Sequence, residues 1–164
     1  MNPALNPKPL ILAGLFLGIG MGGFFDGILF HQILQTHAML SAKIPKTTIE
    51  NIEINMFWDG LFHAVTYLMT LFGLILLWRA GRRTDVPWSG KTLVGAAFLG
   101  WGLFNFLEGI LDHHVFHLHH VVEACGVSIF DYLFLASGVI FMLGGWMAIR
   151  SARQVDWTAR GMSR

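Results

Sequence analysis

Polar and apolar positions separate this chain into four long apolar runs joined by short polar stretches. The runs cover about 9–34, 56–78, 92–111 and 126–149. Each meets the roughly 20 residues a helix needs to cross hydrocarbon. The pattern predicts an all-α, polytopic membrane four-helix bundle, one domain over 1–164. Pro9 suits a first helical turn, where its missing N–H does no harm. Thr47-Thr48-Ile49-Glu50 reads as a capping box, so the second helix is expected to begin outside the membrane and run inward. WRAGRRTDVPWSGK, with Gly81 and Pro87, marks the turn between the second and third spans.

Composition agrees: 54% of residues are hydrophobic and 13% charged, against about 25% charged in soluble domains. A net charge of +1 points to no nucleic-acid partner. The distribution of charge is more informative. Lys8, Arg79, Arg82, Arg83, Lys91, Arg150, Arg153, Arg160 and Arg164 fall on one side of the expected spans, with only Lys43 and Lys46 on the other. Basic residues collect on the cytoplasmic side, so a bacterial inner-membrane protein with both termini inside is expected. One lysine and no small-residue cleavage site precede Asp26, so the first run is expected to stay as a helix. Cys125 is the single cysteine, which excludes an internal disulfide and a multi-thiolate metal site.

The sequence also resembles itself. Phe25-Asp26-Gly27-Ile28-Leu29-Phe30-His31 aligns with Leu107-Glu108-Gly109-Ile110-Leu111-Asp112-His113, and the match extends to His37 and His119. Two tandem helical-hairpin repeats, related by an axis along the membrane normal, would give this pattern. Gly14, Gly18 and Gly22 recur every four residues toward Asp26, and Gly95, Gly102 and Gly109 line the third run. Small residues at such spacings let helices approach closely. Gly18-Ile19-Gly20-Met21-Gly22-Gly23 matches the dinucleotide fingerprint formally, but no strand precedes it, so that reading is rejected.

The candidate chemistry gathers at one depth. Asp26, Asp59, Glu108, Asp112 and Asp131 stand in or beside apolar runs, with no Lys or Arg in that half of any span. A carboxylate at the bilayer centre costs roughly 2.5–3.5 kcal/mol on insertion scales, and buried acids need partners or must stay protonated. All eight histidines lie in the same half. Neutral imidazoles cannot offset acids, but a divalent ion can. Asp59 and His63, four apart, share a helix face and are expected to approach one metal together. Asp26 with His31, and Glu108 with His113, are five apart, about 140° around an ideal helix. They meet only if a bulge intervenes, which the glycines after the acids, Gly27, Gly60 and Gly109, would permit. The expected ligands are Asp26, His31, Asp59, His63, Glu108, Asp112 and His113. His37, His114, His119, His120 and Asp131 are secondary, with Glu123 beside them; His117 is assigned to the outer loop. A nitrogen and oxygen set without thiolate suits Zn, Cu, Fe or Mn.

The motifs GFFDGILFHQ, DGLFH and GWGLFNFLEGILDHH, followed by HLHHV, resemble over essentially the whole chain a bacterial family of small four-helix membrane proteins catalogued as a domain of unknown function. The resemblance brings no established activity. It implies association with copper-oxidase assembly proteins. The expected function is therefore binding of one or two transition-metal ions near the periplasmic face, in metal handling for a respiratory oxidase or its assembly factors. The alternatives are a metal-dependent membrane enzyme, oxidoreductase or hydrolase, and a proton or metal transporter. The transporter needs polar groups continuing inward, where these runs are almost wholly apolar. The lipid bilayer is the one certain partner, and the oligomeric state is left open.

Overall fold

The computed structural model describes the backbone of residues 5–161 and the side chains of residues 5–152. Four helices form it: α1 (Lys8–Asp26), α2 (Ile49–Gly81), α3 (Gly90–Glu108) and α4 (Ile129–Gly161). There is no strand among the described residues. α1 continues into a π-helical segment, Gly27–Ile33, and α3 into another, Gly109–Val115. With these extensions, Lys8–Ile33, Ile49–Gly81, Gly90–Val115 and Ile129–Ala152 are each long and apolar enough to cross a membrane. The four-helix membrane architecture read from the sequence is the one observed.

The second and third spans run beyond the expected runs, the third to Val115 rather than 111, and two starts differ for a visible reason. α2 starts near 49 rather than 56, because the Thr48 hydroxyl accepts from the Asn51 N–H at 3.2 Å and a polar first turn precedes the apolar stretch. The cap is therefore Thr48, one residue after the expected box begins. α4 starts at Ile129 rather than 126, since Gly126 has φ +60°, a left-handed conformation outside any right-handed helix.

α1 and α3 lie side by side at the centre; α2 packs on α1, and α4 on α3. Lipid tails are as apolar as leucine, so helices in a bilayer associate through close packing rather than hydrophobic burial. The structure shows that logic. A Cβ on Gly18 would collide with the Ala97 carbonyl, and a Cβ on Gly100 with the Leu15 carbonyl. Gly73 packs on Leu17 as Gly145 packs on Leu99. Each of these pairs of contacts is one contact made twice, at one offset along the chain for α1 and α3 and another for α2 and α4. The second hairpin thus repeats the first about an axis between α1 and α3. Loops 34–48 and 116–128 meet at one end, where Ala42 N–H donates to Leu118 O and Glu123 N–H to Thr36 O.

The distribution of side chains inverts that of a soluble protein. The outer surface exposes Leu12, Phe25, Ile28, Leu68, Ile75 and Ile140, while Asp26, His31, His37, Glu108, His113, His119 and Asp131 are buried. A small apolar cluster, Leu10, Ala80 and Val86 with Leu77 and Leu93, closes the end away from the two loops.

Candidate metal centre

The two π segments bring acid and histidine together. Leu34 N–H donates to Leu29 O, and Phe116 N–H to Leu111 O, each closing an i→i+5 ring. Widening the helix in this way moves residues five apart toward one face. His31 Nε2 accordingly lies 3.1 Å from Asp26 Oδ2, where an ideal α-helix would turn them apart. Gly27 and Gly109 have ordinary helical φ values of −61° and −57°. What they supply is space rather than conformational freedom. A Cβ on Gly27 would stand 2.7 Å from the His63 ring, and one on Gly109 2.7 Å from Leu135 Cδ2.

Three buried histidines, His31, His37 and His119, are held at Nδ1 by a hydrogen bond, and a fourth, His113, has an unbonded Nδ1 beside a carboxylate. His31 Nδ1 donates to Asp59 Oδ1 at 2.8 Å, and His113 Nδ1 lies 3.1 Å from Asp131 Oδ1. Past the π segments the chain turns back through Gln35 (φ 52°) and His117 (φ 48°), which brings in His37 and His119. His37 Nδ1 donates to Val121 O at 3.0 Å, and His119 Nδ1 to Met39 O at 3.1 Å. Each of these two rings is therefore oriented by the other half of the molecule. The rings stack with centroids 4.6 Å apart and planes 5° from parallel. The acids beneath the first pair are fixed in turn. Asp59 Oδ1 accepts from Met39 N–H at 2.8 Å, and Asp131 Oδ1 from Val121 N–H at 3.1 Å.

The remaining ligand atoms converge. Those of His31, His37 and His119 lie within 4.8 Å of one another, as do those of Glu108, His113 and His119, and of Asp26, His31 and Glu108. Asp26 Oδ2, both Glu108 oxygens, and Nε2 of His31, His37 and His119 are buried without a hydrogen-bond partner in the protein. Native structures rarely leave such groups unsatisfied. Burial, and then the charge His119 would carry, push the His37 imidazole down to about 3. Burial, and then His31, push His119 down to about 4. Both are therefore neutral near pH 7, the form in which imidazole binds metal.

A family model described as "Predicted membrane protein (DUF2243)" matches residues 13–152. The chain belongs to this family. No curated protein and no solved structure matches the chain. As a member of a membrane-protein family with four candidate spans, it holds its His and carboxylate cluster at the loop end of the bundle.

Several expected ligands fall elsewhere. The Asp59–His63 pair does not form one chelate. His63 Nδ1 donates to its own helix, at Asp59 O, 2.8 Å away, while the Asp59 carboxylate turns to His31. Asp59 and Asp131 thus stand behind histidines rather than among the converging atoms. Asp112 is half-buried and is outside the convergent groups. Its five-residue partner would be His117, which the turn carries to the surface. His114 Nδ1 donates to Gly109 O at 2.7 Å, spending that nitrogen on its own π segment. His120 is buried beside Asp131, 3.6 Å from Oδ1. Glu123 Oε2 accepts from the Ser41 hydroxyl at 2.7 Å and from His120 N–H at 3.3 Å, joining the two loops over the cluster. Thr66 donates to His63 O, the ordinary back-bond of a helical threonine.

Three contributors, Met39, Val121 and Asn55, escaped sequence reading. The carbonyls of Met39 and Val121 orient rings from across the molecule, and backbone acceptors leave no trace in residue type. Asn55, one turn before Asp59, accepts from Leu40 N–H and donates to Ile44 O, pinning loop 34–48 to α2. A buried-side asparagine four residues before the aspartate was the available signal.

Proposed function

We propose that this protein binds one or two transition-metal ions of the Zn, Cu, Fe or Mn class through Asp26, His31, His37, Glu108, His113 and His119. The observation that carries the reading is a pairing. Nδ1 of His31, His37 and His119 bonds a carboxylate or carbonyl and that of His113 stands 3.1 Å from Asp131, while oxygens of Asp26 and Glu108 and Nε2 of His31, His37 and His119 converge unpartnered. Metal-binding histidines almost always give their second nitrogen to such an acceptor, which fixes tautomer and orientation. Four imidazoles and two carboxylates suit borderline divalent metals.

The test is elemental analysis of the protein purified in detergent, with thermal unfolding before and after chelation. About one or two ions per chain are expected, and removal should lower the melting temperature. Ligand binding at a thousandfold excess over Kd stabilises a fold by about 4 kcal/mol. A preparation that takes up none of the four metals and shows no thermal shift overturns the reading.

The finer reading places the cluster near the periplasmic face of a bacterial inner membrane, with both termini inside. Lys8, Arg79, Arg82, Arg83 and Lys91 stand at the helix ends opposite the two loops, which supports it. With Cys125 replaced, a cysteine introduced at Ala42 should react with an impermeant reagent in intact cells and one at Arg82 should not. The reverse result sinks the orientation. Service to a respiratory oxidase and its assembly factors rests on family resemblance alone. Co-purification from membranes with an oxidase subunit is its test.

One observation favours a second reading, a metal-dependent membrane enzyme. A cleft of about 430 Å³ with Asp26 in its wall runs between Phe25 and Phe30 on one side and Phe130, Phe134 and Phe141 on the other. A lipid-soluble substrate would reach the centre from that side. Oxygen consumption by loaded protein with a lipid-soluble reductant distinguishes the enzyme from a metal carrier.

A further inference from the structure

The centre just described is closed to water. His31, His37, His113 and His119 are buried, and the two loops are tied over them through Ser41, Glu123, Ala42 and Leu118. An ion must pass this cover. On the second half alone, imidazoles lead inward from the surface. His117 is exposed; its ring centroid is 5.8 Å from that of His120. His120 is 7% exposed, and its Nδ1 is buried without a hydrogen-bond partner. Its centroid is 6.5 Å from that of His113, which is 4.9 Å from His119 in the centre. Two rings whose nitrogens share one ion about 2.0–2.1 Å away have their centroids roughly 5 Å apart in tetrahedral geometry. The 4.9 and 5.8 Å steps are close to that separation, and the 6.5 Å step between His120 and His113 has the Asp131 carboxylate beside both rings.

The fold does not require these residues. The first half makes the same turn with Gln35 at the position of His117, at nearly the same φ. It carries Ala38 where the second half carries His120. Asp131 Oδ1 lies 3.6 Å from His120 Nδ1 and 3.1 Å from His113 Nδ1, so a carboxylate stands where a cation would change partners. We propose that His117 and His120 form a loading route by which a divalent transition-metal ion moves from the loop surface to His113 and the buried centre. The proposal rests on the metal-binding reading above and adds a direction of access, from one half only.

The test separates rate from capacity. Protein stripped of metal in detergent is mixed with Zn²⁺, and the loss of free ion is followed with a zinc-sensitive dye. The variants are His117→Gln and the double variant His117→Gln/His120→Ala, which give the second half the residues of the first. Loading should slow, by about tenfold in the double variant, while the final ion count per chain stays unchanged. A slowed association at constant capacity marks a path rather than a ligand. His117 is exposed, so the single variant tests the route even if loss of the buried His120 weakens the fold. Equal rates for the single variant and the native protein overturn the route alone, and so does a lower final ion count with the single variant. Native protein that takes up no ion overturns the metal reading and the route with it.

Discussion

The two hairpins of this protein are built on one frame and differ in what they hang on it. Both have an acid, a glycine, a π segment, a buried histidine, a left-handed turn residue and a second buried histidine. Both also receive an aspartate from the partner helix. Even the ring against each first histidine recurs: Phe62 lies on His31 and Phe134 on His113. Among the converging residues only the acid differs, Asp26 against Glu108; the other differences fall outside them. α2 has His63 where α4 has Leu135, and the second half has His114, His117 and His120 where the first has Gln32, Gln35 and Ala38. What both halves keep is the geometry that brings the buried acids and histidines together. What only one keeps points to a task done once.

The comparison can be broken experimentally. The largest effect is expected from His119→Ala, because His119 belongs to two of the three convergent groups. It should remove most of the bound metal by elemental analysis, and His37→Ala should do the same; retention of full metal in either variant would break the shared centre. Next come the two supporting aspartates. Asp59→Asn and Asp131→Asn should each weaken metal affinity about 10–100-fold, the usual effect of losing an outer partner of a ligating histidine. Competition titrations that show an effect in one half only would mean that the halves are not functionally equivalent.

Packing offers a third comparison. Gly18→Ala and Gly100→Ala push a methyl group into equivalent carbonyls and should each destabilise by roughly 1–3 kcal/mol, as overpacking does. Melting temperatures in detergent should fall together. Acid is expected to act on the stacked pair. His37 and His119 are held at about 3 and about 4, below the ordinary 6.5. Below pH 6.5 the unfolded chain takes up protons that the folded one refuses, so stability falls with pH. Metal-free protein should keep its full melting temperature above pH 6.5 and lose it progressively toward pH 4. A flat profile over that window would show the two rings to be accessible to protons. The smallest effect is expected from His63→Leu, which copies Leu135. Metal content should be unchanged, whereas a clear loss would return His63 to the ligand set.

Much of the architecture was legible, because a membrane demands long apolar runs and the runs are there. The repeat was legible in Asp26-Gly27 against Glu108-Gly109. The ligand geometry was less so. Ideal helical spacing favours Asp59 with His63 and separates Asp26 from His31. The π segment reverses both preferences, and nothing in residue type announces an i→i+5 ring. The glycines hinted at it, but through space for His63 and Leu135 rather than backbone freedom. His37 and His119 ranked low because loops carry no period from which to place a side chain. Their positions depend on turns at Gln35 and His117, which only the folded backbone reveals.

The crossed carbonyl contacts have a consequence for biogenesis. Met39 orients the second half's His119, and Val121 orients the first half's His37. A chain leaving the ribosome with only its first hairpin inserted has no acceptor to choose the tautomer of His37, and no Glu108 or His119 to complete a chelate. On the metal-binding proposal, the full ligand set is therefore assembled only with the last hairpin, as a property of the finished molecule.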